Sequence, residues 1–269
     1  MIVVAGGSGL LGREVVSRLL AGGERVTVLV RDADRARSVL GSGVDVVRAD
    51  VRRREGLDAA VAGADVVISA VHGFLGGRGA GPAEIDERGN AHLIDAAAAV
   101  GAQFVLVSVS GAAPDHPLDL FRAKYAAEQY LTASTAPWTI VRPPAYRETW
   151  LGILAETAGS TGRPLVFGRG EQPIPFASVA DVADAVCRAA VEPELRGRVV
   201  EVAGEPLTMN QLARTVQEAR DWHGSLRHVP RPLLRAIAVA LAPVNPAFAR
   251  QNRAALVMDT GAPRIAQTV

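Results

Sequence analysis

Three glycines near the start of the chain have a spacing that suits the binding of a diphosphate. Gly6, Gly9 and Gly12 form a G-x-x-G-x-x-G pattern. In such a loop the first glycine permits a tight turn from strand to helix, the second lets an anion approach the backbone, and the third lets the helix pack close to the sheet. The free N–H groups and the positive dipole end of the helix then attract the anion. The pattern therefore predicts a nucleotide-binding site.

The sequence around these glycines strengthens that prediction, because a glycine turn can also be purely structural. The apolar run Ile2–Ala5 is typical of a strand, and the amphipathic run Arg13–Leu20 is typical of a helix that ends at Gly22 and Gly23. A strand, a glycine turn and a helix in this order are the context in which the pattern binds dinucleotides. The cofactor contacts expected in this turn are Gly6, Ser8, Gly9, Leu10, Leu11 and Gly12.

The end of the second predicted strand bears on the choice of dinucleotide. An arginine at this position pairs with a ribose 2′-phosphate, whereas an acidic side chain binds the 2′-hydroxyl. Arg31, with Arg13 and Arg35 near it, therefore predicts NADP(H) as the cofactor. A register one residue later would instead make Asp32 a ribose ligand. Arg31, Arg35 and Arg37 can also form an ordinary solvated helix face.

Further candidate residues follow the third and fourth predicted strands. Asp50 could meet the adenine amino group, with a helix-cap or turn role as an equal alternative. Val51, Ala70 and Val71 complete the predicted cofactor contacts. His72 lies where cofactor and substrate should meet, so it could donate to a phosphate or act as an acid near neutral pH. Its structural alternative is a ring that closes the loop through a backbone hydrogen bond.

One lysine stands out in a chain that otherwise uses arginine. Lys124 is the only lysine among the 29 Lys and Arg residues. A lysine can lose its proton when its pKa is lowered, and its compact ammonium has three donors, whereas arginine stays charged and presents a planar fork. Because Lys124 falls on the helix predicted after the fifth strand, we expect it beside the nicotinamide end of the site.

Apolar strands alternate with helical patterns along most of the chain, which predicts an α/β fold with a Rossmann-type doubly wound parallel sheet. The predicted strands are Ile2–Ala5, Val26–Val30, Val44–Arg48, Val66–Ala70, Phe104–Val107, Trp138–Val141 and Val199–Val202. The predicted helices are Arg13–Ala21, Asp34–Leu40, Gly56–Ala62, Ile85–Val100, Leu120–Ser134, Val179–Val191 and Gln211–Ala219. In such a sheet the ligand lies at the carboxyl ends of the strands.

The texture of the sequence changes from about Pro206. We predict an NAD(P)-binding Rossmann domain over residues 1–205, including parts of a substrate loop region at 143–175, and a small, mostly helical substrate-side subdomain over residues 206–269. Thr208 and Gln211 predict a capping box at the start of the first helix of that subdomain.

Several segments of the chain form an ordered set that covers about the first 205 residues. They are Val4–Gly12, Val30–Asp32, Lys124–Glu128, Trp138–Pro143 and Phe176–Ala183. Together they resemble the NmrA-like group of atypical short-chain dehydrogenases/reductases. The resemblance implies a Rossmann fold that binds NADP(H), with Gly6, Gly9, Gly12 and Arg31 at the cofactor positions.

The resemblance also implies candidate catalytic residues and one departure from the broader superfamily. Short-chain dehydrogenases use a Tyr-x-x-x-Lys pair, whose tyrosine protonates the substrate oxygen, and a serine after the fifth strand, which steadies the carbonyl. Lys124 matches the lysine, and Ser110 matches the serine with Ser108 as the alternative register. Leu120 stands at the tyrosine position and cannot exchange a proton.

Other residues could supply the missing acid. Tyr125 is adjacent to Lys124 in sequence but points about 100° away around the helix. Tyr146 replaces the tyrosine only if the substrate-side loop that carries it folds inward. Tyr146 and Trp150 have two alternative roles, in the lining of a substrate pocket or in core packing, and the second is the commoner for paired aromatics. His72 is the remaining candidate.

Length and composition favour a cytoplasmic enzyme. A chain of 269 residues with 49% hydrophobic content can bury a large core, and its net charge of +1 gives no argument for binding nucleic acid. Cys187, the single cysteine, fits a reducing compartment, and we expect it to be a small apolar residue inside a helix. No metal site, secretory signal or membrane span is predicted. A small-molecule substrate is expected, and a homodimer is compatible with the sequence.

Three functional hypotheses follow. The first is an NADPH-dependent reductase of a small apolar carbonyl, quinone or enone, in which Lys124 holds the nicotinamide ribose and acts as acid/base, assisted by Ser110, His72 or Tyr146. The second is a catalytically inactive regulator that senses NADP(H), which the missing tyrosine favours. The third is a non-redox isomerase that uses bound nucleotide. We favour the reductase, because the lone lysine and the apolar C-terminal helices make sense around a substrate.

Overall fold

The computed structural model describes residues 1–41 and 43–261. Its strands are β1 Ile2–Ala5, β2 Val26–Val30, β3 Asp45–Arg48, β4 Val66–Ser69, β5 Gln103–Val107, β6 Trp138–Arg142, β7 Ala145–Tyr146, β8 Leu165–Phe167, β9 Ile174–Ala177, β10 Arg198–Glu201, β11 Glu205–Leu207 and β12 Arg227–Val229. Its α-helices are α1 Leu10–Ala21, α2 Ala33–Leu40, α3 Leu57–Ala60, α4 Asn90–Ala99, α5 Asp119–Ala133, α6 Arg147–Ala158, α7 Val179–Val191, α8 Met209–Glu218, α9 Arg231–Ala240 and α10 Pro246–Thr260. A π-helix, Ala83–Gly89, precedes α4.

The chain divides into two compact units. The first unit comprises Met1–Pro143 and Val179–Val202, and the second comprises Pro144–Ser178 and the residues from Ala203 onward. The sequence predicts a boundary near residue 205 and keeps most of the segment 143–175 with the Rossmann domain. The structure assigns Pro144–Ser178 to the second unit, because β9 within it pairs with both β7 and β11.

The first unit is built on a seven-stranded parallel sheet with the order β10-β6-β5-β4-β1-β2-β3. Ile2 of β1 pairs with Val26 of β2 on one side and with Val66 of β4 on the other. The chain therefore winds outward from β1 to β3, returns to β4, and winds outward again in the opposite direction. The carboxyl ends of β1 and β4 lie at this reversal, where doubly wound sheets bind their ligands. The predicted fold class is confirmed.

The central strands are buried along their whole length because helices cover both faces of the sheet. Every residue of β1, β2, β4 and β5 is buried, as expected of parallel strands inside an α/β fold. The edge strands β3 and β10 are largely exposed or half-buried. One core cluster joins the sheet to α3, α4 and α5; its large members include Leu29, Leu57, Leu93, Ile94, Phe104, Leu106, Leu131 and Ile140. On α7, Cys187 is half-buried and its sulfur lies near the Val15 carbonyl of α1.

One predicted helix differs from the observed one in a way that matters for the site. The sequence predicts a continuous helix over Ile85–Val100, whereas the structure has the π-helix Ala83–Gly89 followed by α4. The Asn90 side chain donates a hydrogen bond to the Asp86 carbonyl at 2.7 Å. π-Helices are rare and occur mostly at functional sites. Hydrophobic periodicity does not distinguish the two helix types, because both bury one apolar face.

The second unit has its own core beneath two small sheets. One sheet has the order β11-β9-β7, and β12 pairs with β8 in the other. The core is formed by Leu154, Val166, Phe176, Met209, Leu212, Ala213 and Val216. The predicted capping box is confirmed, because the Thr208 side chain accepts from the Gln211 amide while the Gln211 side chain accepts from the Thr208 amide. Among the described residues, no helix combines the length and the apolarity needed to cross a bilayer.

Candidate functional site

The glycine turn after β1 requires glycine at two positions for different reasons. Gly6 has a φ of +81°, and a Cβ there would lie 2.8 Å from the Ala70 carbonyl oxygen. A Cβ on Gly12 would lie 2.7 Å from the Gly7 Cα, so a side chain would push α1 away from the turn. The roles predicted for these two glycines therefore agree with the geometry. The turn also lies against Ala70 and Val71, the two residues that follow β4.

Gly7 is a further constrained position that the spacing argument missed. A Cβ on Gly7 would lie 2.6 Å from a methyl carbon of Val28 on β2. By contrast, a Cβ on Gly9 would meet only the Gly6 carbonyl oxygen, at 3.3 Å. The protein itself thus needs Gly9 less than the other three. Close approach of a ligand remains the predicted reason for a glycine at this position.

The start of α1 has the features of an anion-binding helix terminus. Gly9 is the N-cap, with extended backbone and no side-chain cap, and the first turn contains no acidic residue. The first amides of a helix have no acceptor within the helix, so those of Leu10, Leu11 and Gly12 are the groups that can meet a phosphate. Ser8 is half-buried in the turn just before them.

The structure separates the roles of the two residues at the end of β2. Asp32 is the N-cap of α2, and its Oδ1 accepts a hydrogen bond from the Arg35 amide at 3.0 Å. This cap gives Asp32 a structural role. Arg31 is exposed, and its guanidinium makes no hydrogen bond or ion pair with the described residues. Arg37, in contrast, pairs with Asp34 at 3.1 Å on the outer face of α2.

Asp50, after β3, forms a turn with Arg52. Its Oδ1 accepts from the Arg52 amide at 3.1 Å and from the Arg52 Nε at 3.0 Å. The hydrogen bonds from Arg52 hold the pKa of the Asp50 carboxyl below its usual value, and the charge of Arg31 contributes in the same direction. The turn role, one of the two alternatives for Asp50, is the one that the structure displays. Val51 is buried, and its carbonyl oxygen lies 2.9 Å from Nδ1 of His92.

Lys124 lies at the centre of a buried polar cluster. Its Nζ donates to the carbonyl oxygen of Val71, just after β4, at 3.0 Å and to that of Val107, the last residue of β5, at 2.8 Å. The same nitrogen lies 3.0 Å from Oδ1 of Asp86, whose side chain is completely buried. That last contact is an ion pair without the alignment of a hydrogen bond, since Asp86 Oδ1 has no aligned donor. We call Asp86, Lys124 and the carbonyls of Val71 and Val107 the lysine clamp.

Asp86 is the residue of this cluster that sequence reasoning missed. It lies on the π-helix, and its Oδ2 accepts a hydrogen bond from the Gly73 amide at 2.7 Å. A signal was present in the sequence, because Asp86 and Asn90 fall on the same helical stripe as the buried Leu93 and Ala97. A carboxylate on a buried face requires a partner. The sequence alone did not identify Lys124 as that partner.

His72 follows β4 and lies in the chain between Val71, which contacts Lys124, and Gly73, which contacts Asp86. Its ring makes no hydrogen bond with the described residues, so the loop-closing bond proposed as its structural role is not present. Asp86 closes the loop instead, through Gly73. Although His72 is exposed by surface area, the protein around the ring lowers its pKa by removing water. The charge of Asp86 opposes this effect, and the charge of Lys124 adds to it.

A second polar cluster joins the carboxyl ends of β5, β6 and β10. Arg142 donates to Glu128 Oε1 at 2.9 Å from Nε and to Glu128 Oε2 from Nη2, while its Nη1 contacts Glu201 at 3.2 Å. The buried Ser108 donates to Glu128, and the half-buried Ser110 donates to Glu201 at 2.7 Å. We call Arg142, Glu128, Glu201, Ser108 and Ser110 the arginine clamp. Ser108 and Ser110 are the two alternatives for the serine position. Each donates a side-chain hydrogen bond to a glutamate, and Ser108 is buried whereas Ser110 is half-buried.

The remaining acid candidates occupy different places. Leu120 lies in the first turn of α5, four residues before Lys124. Tyr146 belongs to the second unit, where it ends β7 and is the N-cap of α6, and burial raises the pKa of its phenol. Trp150 of α6 packs edge-on against Phe167 in the same unit, in agreement with the core-packing alternative. The structure therefore brings Lys124, His72 and Ser110 into one unit and assigns Tyr146 to the other.

Neither the Cys187 thiol nor a metal-binding cluster adds a candidate site in the described part of the chain. Burial raises the pKa of the Cys187 thiol to about 11, so the thiolate that would react is scarce at neutral pH. Within residues 1–41 and 43–261, no three His, Cys, Asp or Glu side chains are grouped so that they could hold a metal ion.

Comparison with known proteins agrees with a cofactor at the glycine turn. Residues 6–193 match the family described as NAD(P)H-binding. The chain is 31% identical to the NAD(P)H azoreductase of Xenophilus azovorans over 205 residues, which are 76% of this chain and 68% of that protein. It is 32% identical to the (4-alkanoyl-5-oxo-2,5-dihydrofuran-3-yl)methyl phosphate reductase of Streptomyces griseus over 225 residues, which are 82% of this chain and 73% of that protein.

A solved structure of similar fold is the NADPH-dependent quinone oxidoreductase of Escherichia coli complexed with NADPH. The two chains superpose with a TM-score of 0.78 at 24% identity, over 97% of this chain and 90% of the other. The likeness supports the Rossmann-type fold. Together with the match over residues 6–193, the glycine turn and the uncapped start of α1 lead to one conclusion. The chain belongs to the NAD(P)H-binding family.

Proposed function

We propose that this protein is an NADPH-dependent reductase of a small apolar carbonyl, quinone or enone compound. The proposal rests mainly on one observation. The glycine turn, Lys124 and His72 all lie at the carboxyl edge of β1 and β4. The names of the two relatives support it, since one describes an azoreductase and the other a reductase of an unsaturated lactone that bears an alkanoyl group. The segments that resemble the NmrA-like group, among them Lys124–Glu128 and Phe176–Ala183, support placing the chain in that group.

NADP(H) is the proposed form of the cofactor. Arg31 supports this choice, because its guanidinium is exposed and without an ion-pair partner among the described residues, while Asp32 is engaged in capping α2. The 2′-phosphate would pair with Arg31. The diphosphate would meet the amides of Ser8–Gly12, and the adenosine and nicotinamide sides would meet Asp50, Val51, Ala70 and Val71. When bound, NADPH supplies the hydride.

The contacts of Lys124 bear on how it would hold the cofactor ribose. An ammonium has three donors, and two of those of Lys124 are directed to the carbonyls of Val71 and Val107. The same nitrogen also lies 3.0 Å from Asp86 Oδ1, so a ribose hydroxyl would share the third N–H with that carboxylate. Lys124 would thus hold the ribose while its charge is balanced by Asp86.

The proton for the reduced substrate needs a donor other than Leu120. We assign that role to His72. Its ring makes no hydrogen bond with the described residues, and the charge of Lys124 acts on it. The imidazolium would give its proton to the substrate oxygen and regain one from water. Ser110 would donate a hydrogen bond to that oxygen after leaving Glu201, and Tyr146 remains a candidate from the second unit.

The central experiment measures NADPH binding and turnover separately. Calorimetry should detect NADPH binding, and NADPH oxidation should be seen with a panel of quinones, enones and ketones. Lys124→Ala should lose turnover while NADPH binding persists. Binding without turnover on any acceptor would favour the second candidate, an NADP(H) sensor, which Leu120 at the tyrosine position supports. Absence of heat with NADPH and with NADH would overturn both candidates.

The cofactor preference has its own test. Arg31→Asp should weaken NADPH binding by about tenfold or more relative to NADH, because it removes a charge-assisted pair with the 2′-phosphate and adds a repulsive charge. Arg37→Asp is the matched control, since Arg37 lies on the same segment but pairs with Asp34. Equal losses for NADPH and NADH in the Arg31 variant would contradict the assignment.

A further inference from the structure

We infer that Asp86 is a positioning residue that acts, together with Lys124, on both backbone neighbours of His72. The inference rests on the proposed function, because it assigns His72 the role of proton donor. Lys124 holds the Val71 carbonyl at 3.0 Å, and Asp86 holds the Gly73 amide at 2.7 Å. The ion pair between Asp86 and Lys124 therefore fixes the residue on each side of His72.

The burial of Asp86 supports a role that a surface carboxylate could not fill. Its side chain is completely buried, and that of Lys124 is 5% exposed. Burying a carboxylate is costly unless a cation and hydrogen-bond donors compensate for lost water. Here the ammonium and the Gly73 amide do so, one at each carboxylate oxygen. An asparagine could keep the amide contact but not the charge.

The local helix geometry places Asp86 where both contacts are reached. Asp86 lies on the π-helix, and the side chain of Asn90, the first residue of α4, donates to the Asp86 carbonyl. The hydroxyl of Ser69, the last residue of β4, also contacts the Asn90 side chain. These bonds tie the π-helix to β4 on the side from which the Val71–Gly73 segment emerges. These bonds therefore hold the backbone of Asp86 in place, and this backbone positions the carboxylate beside Lys124.

Asp86 and Lys124 also act on His72 through their charges, in opposite directions. Asp86 on the π-helix favours the imidazolium, and Lys124 on α5 disfavours it. These two are the charged groups that bear on the ring among the described residues. Removing either charge should move the titration of His72, and the two removals should move it in opposite directions.

The experiment compares Asp86→Asn, Lys124→Met and the double variant in the full chain. Histidine labelled with ¹³C and ¹⁵N is followed by NMR across pH, with His72→Gln used to assign the signal. Asp86→Asn should move the His72 titration to lower pH by about half a pH unit or more, Lys124→Met should move it to higher pH, and the double variant should lie between them. The pH at which kcat/KM falls should follow the same order.

Asp95→Asn is the matched control. Asp95 lies on α4, the helix that follows the π-helix, and pairs with Arg54 at 2.9 Å and with the Tyr130 hydroxyl at 2.7 Å. Its loss should leave the His72 titration in place. If Lys124→Met does not fold because the buried Asp86 loses its cation, Asp86→Asn still tests the predicted fall. Unchanged titration in the folded variants, or an equal shift in Asp95→Asn, would overturn the inference.

The NMR readout keeps this inference separate from the proposed function. If no acceptor is reduced but the His72 titration moves as expected, the reductase assignment fails and the positioning by Asp86 stands as a property of the cofactor edge. If NADPH is oxidised but the titration does not respond to either substitution, the reductase stands and Asp86 has a purely structural role.

Discussion

The lysine clamp and the arginine clamp stabilise the same edge of the sheet with different chemistry. In the lysine clamp one nitrogen atom contacts three groups from β4, β5 and the π-helix, all within 3.0 Å. In the arginine clamp a guanidinium grips both oxygens of Glu128 and reaches Glu201 with a third nitrogen. Lys124 and Glu128 are four residues apart on α5, so one helix face supplies a member of each clamp.

The difference explains why a chain rich in arginine has a lysine at position 124. A tetrahedral ammonium can direct three donors from a single atom toward separate acceptors, whereas each guanidinium nitrogen carries at most two protons in a plane. The site around Lys124 therefore suits lysine, and the site around Arg142 suits a bidentate fork. The hydrogen bonds from Arg142 to Glu128 raise the pKa of the guanidinium further above its ordinary value.

The largest effect is expected from Lys124→Arg. The longer, planar side chain cannot reproduce the three contacts at one nitrogen, so it disrupts the buried ion pair with Asp86. Breaking a buried ion pair costs roughly 3–5 kcal/mol in the free energy of unfolding. Urea denaturation followed by circular dichroism measures this loss. A variant with the stability of the natural chain would show that the lysine clamp does not depend on ammonium geometry.

A pH profile distinguishes the role of His72, which follows Val71 of the lysine clamp, from that of Ser110 in the arginine clamp. A proton donor works only while it is protonated, so kcat/KM should fall as pH rises through the His72 pKa, which lies below the ordinary histidine value. His72→Gln should abolish this limb and reduce kcat by about 100-fold, the low end for general acid catalysis. Ser110→Ala, at the arginine clamp, should reduce the rate but keep the limb. Retention of the limb in His72→Gln would assign the proton to another group.

Arg142→Lys is the reciprocal of the first substitution and should have a smaller effect. Lysine keeps the charge beside Glu128 but loses the bidentate fork, for an expected cost of roughly 1–3 kcal/mol in unfolding free energy. Arg18→Lys is the control, because Arg18 forms a partly exposed pair with Glu14 at 2.8 Å. If both substitutions cost the same, the fork geometry at Glu128 carries no special weight.

The smallest effect is expected at the exposed arm of the arginine clamp. The side chain of Glu201 is 54% exposed, and its contact with Arg142 is 3.2 Å long. Exposed pairs contribute little, so Glu201→Gln should change the free energy of unfolding by less than about 1 kcal/mol. A loss as large as that of Lys124→Arg, measured in the same urea titration, would contradict the ranking of buried and exposed partners.

Sequence patterns were sufficient where the information is local. Gly6 and Gly12 are needed for contacts within a few residues of the turn or with the adjacent strand, and alternating apolar runs predicted the strands of the parallel sheet. Composition identified Lys124 as a residue to examine, because it is the only lysine in the chain. The capping box of Thr208 and Gln211 is equally local, and it was predicted with the correct partners.

What the sequence alone determined, then, is a Rossmann-type fold with a nucleotide turn and one unusual lysine. Only the tertiary structure decided what that lysine contacts, because Asp86, Val71 and Val107 lie on three elements that the fold alone brings together. It also decided that Asp32 caps a helix, that the helix carrying Asp86 begins as a π-helix, and that Pro144–Ser178 belongs to the second unit. Hydrophobic periodicity records which face of an element is buried, but the partner of a buried charge depends on which elements are neighbours in space.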